Sequence, residues 1–288
     1  SLLFALHPIH TEVVDNIKSA DELLCFFFAF LSLNIFVRYA HDGKIASLIT
    51  GSFCFFLALL SKETAITFLA IIPLVFFLYK NENRKRSIHI LSCTALTAVV
   101  FLCIRFSVLS AYHVNNLSEH FYMKNALAKP GLAFGSRLAT AVLMLGHYLR
   151  LLFIPYPLLF DYSIGTIPFV HFSDYRVLIS LAAYITIIGV AIRYTLKNNK
   201  DLYAFGAVFF LVTLSLFSNV FFLTGATMAE RFLFFPSVGF CIVVAALLEQ
   251  LAIRLSIPGS MILRKPQTLG VIIVLSICYT AVTVNRNT

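Results

Sequence analysis

Tryptophan is missing altogether, and only 12% of the 288 residues are Asp, Glu, Lys or Arg. A water-soluble domain carries roughly a quarter charged residues, so this chain is not organised for bulk water. With no Trp, any aromatic belt at a membrane boundary must be built from the 12 Tyr and 30 Phe. No Gly-rich phosphate loop, DxD motif or nucleophile elbow occurs, which leaves soluble nucleotide-binding chemistry without support. The six cysteines, Cys25, Cys54, Cys93, Cys103, Cys241 and Cys278, lack metal-type spacing and all lie in apolar runs. They read as small buried hydrophobes and report no redox compartment. No basic leader with a cleavage site opens the chain, no internal repeat is visible, and the sequence begins without an initiator Met, as a fragment lacking its start would.

What is present is 60% hydrophobic residues, gathered in blocks of about 17–21, the length that crosses a bilayer core. The expected fold is an all-α polytopic membrane helix bundle with about eight complete spans after a partial first one. The spans fall at 23–39, 45–60, 64–79, 87–106, 176–194, 202–223, 232–251 and 269–284. Residues 137–154, which carry Arg137, His147 and Arg150, read as an interfacial or re-entrant helix stopped by Pro155 and Pro157. Three parts follow: 1–106 as the N-terminal membrane core, 107–175 as an external region, and 176–288 as the C-terminal spans.

The net charge of +9 is spread over several short loops and forms no single basic face, so nucleic acid is not an expected partner. The charge reports topology instead. With KNENRKR (80–86) in the cytoplasm, the other basic short loops fall on the same side. The polar stretches 7–22, 61–63, 107–175 and 225–231, and the C-terminus, then lie on the opposite, external face. Asn116-Leu117-Ser118 is a weak glycosylation sequon in that external region.

Ionisable groups at membrane depth are costly and mark functional cavities. In His7-Pro8-Ile9-His10-Thr11-Glu12, two imidazoles and a carboxylate stand together. The spacing is not that of a metalloprotease helix, and Pro8 argues against regular helix through His7. Loop structure, a divalent metal and proton handling are all open readings of it; no metal-ligand set is assigned. Glu12 and His10 are the candidate catalytic residues. Lys62-Glu63 interrupts two spans, and Glu230-Arg231 precedes another. An ammonium is a point-charge binder for phosphate, and a guanidinium near a helix start offers a fork to an anion. Lys62, Glu63, Arg231, Glu230, Arg137, Asp161 and His7 are the candidate substrate-binding residues. Snorkelling lysines and interfacial anchors are the ordinary structural alternatives. A lipid-linked phosphate, with its tail among the spans, fits this combination.

The stretches HPIHTEVVDNIKSADELL, LLSKETAITFLA, GHYLRLLFIPYPLLFDYSIGTIP and MAERFLFFPSVGF resemble the transmembrane and tetratricopeptide-repeat O-mannosyltransferases. Residues 107–184 look like that family's domain of unknown function. The resemblance implies a membrane glycosyltransferase of GT-C type, moving a sugar from a dolichyl- or polyprenyl-phosphate donor to a hydroxyl of a protein or glycan on the external or lumenal face. It implies a carboxylate base in a first external loop, expected before Ser1, so that residues 1–288 alone are expected to be inactive. It carries over Glu12 first and His10 next, with Lys62 and Arg231 near the lipid phosphate. It departs at Ala20, where an Arg is expected, and in the repeats expected after the last span. The motifs suggest a bacterial inner membrane before an endoplasmic reticulum membrane. The contrasting expectation is a non-catalytic scaffold or a carrier of lipid-linked sugars, although a carrier would place its polar groups near mid-bilayer in two similar halves.

Overall fold

A computed structural model describes residues 1–78, 84–111, 122, 124–159, 162, 165–197, 201–254 and 266–287. Among them every regular element is helical, in agreement with the all-α expectation. The α-helices are α1 (Leu2–Ala5), α2 (Thr11–Val14), α3 (Ala20–Asp42), α4 (Ile45–Ser61), α5 (Phe68–Leu78), α6 (Arg84–Ala111), α7 (Phe134–Phe153), α8 (Tyr175–Lys197), α9 (Leu202–Ser215), α10 (Pro236–Arg254) and α11 (Pro266–Asn287). Short 3₁₀ turns at Pro8–His10, Ile17–Ser19, Glu63–Thr67 and Glu230–Leu233 carry most of the polar motifs. The stretches Ile17–Asp42, Arg84–Ser110 and Tyr175–Leu196 are long and apolar enough to cross a membrane. The apolar helices Ile45–Ser61, Glu63–Phe77, Leu202–Ser215 and Pro236–Leu251 are shorter than that. α7 is not among them; Arg137, His147 and Arg150 interrupt its apolar run.

The chain divides into two compact units. The unit Val13–Lys124 contains α3 to α6. The acidic first turn of α3, Asp21 and Glu22, complements the positive end of the helix dipole. The helix ends at Gly43, whose φ of 70° lets its amide reach back to Tyr39 O at 2.8 Å. α3 packs extensively on α4, and α4 on α6. Ser32 Oγ donates to Gly51 O at 2.8 Å, which fixes α3 against α4. The expected span 64–79 begins as a 3₁₀ turn and becomes α-helical only at Phe68, because Lys62 is extended and Thr67 Oγ1 caps back on Thr64 O.

The other unit joins Ser1–Glu12 to Asn125–Thr288. Its core is apolar side chains of α7, α8 and α9 with Ile9, Met228 and Leu233. α9 starts on Asp201, whose carboxylate accepts from the amides of Tyr203 (2.7 Å) and Ala204 (3.3 Å). It ends at Ser215, eight residues before the expected 223. The reason lies at Asn219. Asn219 takes a positive φ of 54°, a conformation Asn tolerates, and its Oδ1 accepts from Asn125 Nδ2 and Thr224 N, each at 2.9 Å. Those bonds satisfy the chain outside a helix. α9 and α10 cross at two glycines. A Cβ on Gly206 would lie 2.7 Å from Gly239 O, so only Gly permits this backbone approach.

Candidate functional site

The HPIHTE motif folds as the sequence suggests at its first step. His7 precedes proline and is extended, with φ −67° and ψ 122°. Its Nδ1 accepts from Ile9 N at 3.3 Å, and its Nε2 lies 3.0 Å from Leu152 O. A carbonyl only accepts, so Nε2 carries the proton and His7 is the neutral tautomer with both nitrogens engaged. Burial lowers its pKa, opposed by the Leu152 carbonyl. His10 Nε2 sits 2.9 Å from Ser237 Oγ at the start of α10. Burial, reinforced by His7 and opposed by the Phe4 carbonyl, pulls His10 down to about 3, so it is neutral at ordinary pH. Among the described residues no group of three His, Cys, Asp or Glu side chains stands ready for a metal ion.

Glu12 is fully buried, and both of its oxygens are spent on one residue. Oε1 takes Arg231 Nη1 at 2.6 Å, and Oε2 accepts the Arg231 amide at 2.8 Å. The Glu12 side chain is 0% exposed, while that of Arg231 is 34% exposed, so the pair presents its cationic side outward. Beside it, Glu230 is 0% exposed as well and meets Arg286 Nη1 at 2.6 Å through Oε2. Glu230 Oε1 accepts from Leu159 N at 2.6 Å and Tyr162 OH at 3.3 Å. Burial raises the Glu230 pKa to about 7; Arg286 and the Leu159 amide oppose the rise, and Glu12 adds to it. Burial and Glu230 push the Tyr162 phenol upward. Arg286 also donates to Thr11 Oγ1, which donates in turn to Pro8 O at 2.8 Å.

Five of the predicted site residues are therefore brought together: His7, His10, Glu12, Glu230 and Arg231. Arg137 sits on the first turn of α7 with its guanidinium 5.0 Å from the Phe134 ring centre. Asp161 lies outside the described residues, as do the sequon at 116–118 and the KNEN part of the most basic loop. Lys62 and Glu63 belong to the other unit. There Lys62 Nζ lies 3.2 Å from Asp21 Oδ2 and pairs with the buried Glu22. Burial works against the Lys62 charge, but Glu22 and Asp21 more than offset it, and its pKa is raised. Glu63 pairs with Arg105 on the surface. Lys62 and Arg231, singled out as cations for a phosphate, are each held by carboxylates.

Sequence reasoning did not single out Arg286. A signal for it existed: it closes the last apolar block, on the face to which charge counting assigned HPIHTE and Glu230. Ser237 gave none, since a hydroxyl in an apolar helix reads as ordinary.

Within the same unit a cavity of about 370 Å³ is lined by α7, α8, α9 and α10. Phe153 and Phe240 mark one end, and Tyr194, Tyr203 and Gln250 the other. Its walls are Leu149, Ile187, Val190, Val243 and Leu247 with the Gly206–Gly239 crossing. The Phe240 end adjoins the polar cluster, because the His7 ring is 6.2 Å from the Phe240 ring.

Among the described residues, three helices long and apolar enough to cross a bilayer mark an all-α membrane protein. Comparison with known proteins gives the relationship. Residues 133–188 match the family model described as Protein O-mannosyl-transferase TMTC, DUF1736, a narrower stretch than the 107–184 expected. The chain is 30% identical over 256 residues to Protein O-mannosyl-transferase F38B6.6 of Caenorhabditis elegans, covering 88% of this chain and 34% of that protein. It is 27% identical over 276 residues to Protein O-mannosyl-transferase TMTC4 of Homo sapiens, covering 85% and 37%. To Protein O-mannosyl-transferase TMTC3 of Mus musculus it is 29% identical over 272 residues, covering 85% and 29%. The chain is thus similar to the TMTC protein O-mannosyl-transferases over most of its own length, as its four motifs suggested, and it spans about a third of the length of these relatives. No solved structure matches it.

Proposed function

We propose that this chain is the membrane part of an O-mannosyltransferase-like enzyme of GT-C type. It moves a sugar from a dolichyl- or polyprenyl-phosphate donor to a hydroxyl of a protein or glycan on the external or lumenal face. What supports this reading is a buried carboxylate–guanidinium pair and an apolar cavity within one unit, with the His7 ring of the polar motif 6.2 Å from the cavity-lining Phe240 ring. An isoprenoid chain suits the cavity, and its phosphate suits the open side of Arg231. A guanidinium offers five donors; Glu12 uses one on Nη1, and an anion can take others without unburying Glu12.

In the transfer step the acceptor oxygen bonds to the anomeric carbon, the bond from that carbon to the donor phosphate breaks, and the lipid phosphate leaves with the electron pair. The acceptor proton passes to a carboxylate or, through it, to water. Glu12 is the first candidate in this chain to orient or deprotonate the acceptor. His10, neutral and tied to Ser237, is better suited to holding the HPIHTE turn than to carrying a charge. Lys62 keeps the role of a candidate anion contact in its own unit, and the proposal for the Glu12–Arg231 cluster does not depend on it.

The test uses membranes from cells expressing the full open reading frame, supplied with mannose on dolichyl or on polyprenyl phosphate. Transfer to a Ser/Thr acceptor peptide is measured for wild type, Arg231→Ala and Glu12→Gln. Transfer by wild type that both variants reduce at least about 100-fold supports the reading, as loss of a charge-stabilising or proton-handling group does. The preferred lipid tells an endoplasmic reticulum membrane from a bacterial inner membrane. Donor binding by wild type without transfer to any acceptor favours the carrier reading instead.

A further inference from the structure

The Glu230 carboxylate gathers two other stretches of chain. Leu159 N and Tyr162 OH come to it from the segment after α7, and Arg286 comes from the end of α11. Through the same Nη1, Arg286 also holds the Thr11 hydroxyl, one residue from Glu12. One guanidinium nitrogen therefore bridges the HPIHTE segment and the Glu230–Leu233 turn, the two segments that also hold the Glu12–Arg231 pair. The Arg286 side chain is 17% exposed and Glu230 is 0% exposed, so this contact is shielded from water. Shielding makes it directional and costly to lose. The long guanidinium is well suited to such a double contact, because its planar fork loses little freedom per bond formed.

We propose that Arg286 is a positioning residue for the candidate site. By gripping Glu230 and Thr11 at once, it sets the register of the two segments that present Glu12 and Arg231, and it keeps the Glu230 carboxyl aimed at Leu159 and Tyr162. Docking of the last helix and assembly of the site then become one event. Arg286 touches neither donor nor acceptor in this scheme; it acts through Glu230 and Thr11. The proposal rests on the cluster being the reaction site, and its test separates the two ideas.

The full-length protein in lipid nanodiscs is compared as wild type, Arg286→Ala, Arg286→Gln, Arg286→Lys and Glu230→Gln. The first measurement needs no activity. Infrared difference spectra against Glu230→Gln isolate the Glu230 carboxyl and follow its titration. The expected result is an upward move of at least about one pH unit in Arg286→Ala and Arg286→Gln, with return toward the wild-type position in Arg286→Lys. The second measurement is sugar transfer. Arg286→Gln should lower kcat about 10- to 100-fold while KM for the lipid donor changes less than about threefold, as misplacement of reacting groups does. An unchanged Glu230 titration in Arg286→Gln overturns the proposal, and so does a lysine variant no better than the glutamine one. Should Arg286→Ala fail to fold, the Gln and Lys variants carry the comparison. If wild type transfers no sugar from any donor while the titration moves as stated, the positioning of Glu230 stands and the transferase reading fails.

Discussion

The Glu12–Arg231 pair yields the sharpest energetic prediction because its two partners differ in burial. The Glu12 side chain is 0% exposed, whereas the Arg231 side chain is 34% exposed. Arg231→Ala leaves the carboxylate buried with only the residue-231 amide, at 2.8 Å, for company. Breaking a buried pair in this way costs about 3–5 kcal/mol. Glu12→Ala is the milder change. The freed guanidinium turns toward solvent, and the main loss is the acceptor for the Arg231 amide, about 1–3 kcal/mol. The double variant should fall short of the sum of the singles by about 1–3 kcal/mol, since each single change forfeits the same contact. Equilibrium unfolding in mixed micelles measures all four proteins. The reasoning is refuted if Glu12→Ala costs more than Arg231→Ala, or if the coupling is below about 0.5 kcal/mol, within which unconnected sites are additive.

Four further outcomes follow from the other polar and packing features. The Glu230 pKa is raised to about 7, so the folded state favours its protonated form. Stability from this group is full below its unfolded pKa and is lost as pH rises through about 7; the loss amounts to about 3 kcal/mol, and the thermal midpoint of Glu230→Gln should show a flatter pH profile over that window. Lys62→Ala should cost about 3 kcal/mol by stranding Glu22, while Arg105→Ala, which breaks an exposed pair, should cost less than about 1 kcal/mol in the same unfolding assay. Gly206→Ala should destabilise by about 1–3 kcal/mol, because its Cβ meets the Gly239 carbonyl as well as the Val243 side chain, and the carbonyl is backbone that cannot rotate away. Val190→Trp, which fills the cavity, should reduce binding of a labelled isoprenyl phosphate at least about tenfold with little change in thermal midpoint, and unchanged binding removes the cavity from the proposal.

Much of the helical architecture was legible because apolar block length is a one-dimensional property. The ends of α3, α4 and α7 fall within a few residues of the expected limits, and Pro155 stops α7 as its chemistry requires. Less legible was the shortening of α9. Its cause is Asn219 with partners at Asn125 and Thr224, and a hydrogen bond between residues 94 apart leaves no trace in local pattern. The candidate site divides the same way. Residue type and setting pointed to His7, His10, Glu12, Glu230 and Arg231. Spacing could not show that Arg231 and Glu12 are partners across 219 positions, nor that Arg286 closes the cluster.

Pairing also changes what the cations can do. A free arginine at membrane depth would bind any anion, and would itself be costly to keep. Here Arg231 and Lys62 are each compensated by buried carboxylates, so each cluster is stable without a ligand. Any affinity for the proposed donor phosphate would then come from the unused donors of a guanidinium already oriented by Glu12, not from relief of an unpaired charge. A guanidinium fixed in this way gives up little freedom when an anion arrives, and preorganisation of that kind favours selectivity over raw strength. On the proposed function, two tasks fall to Glu12 at one position. In the proposed reaction it would steady the guanidinium that receives the donor phosphate, and it would take the acceptor proton. A Gln at position 12 preserves an acceptor for the Arg231 amide but cannot take a proton, whereas an Asp shortens the reach and keeps the charge. Donor affinity should therefore survive better in Glu12→Asp and transfer should fail in Glu12→Gln. The two substitutions separate the steadying role from the chemical one.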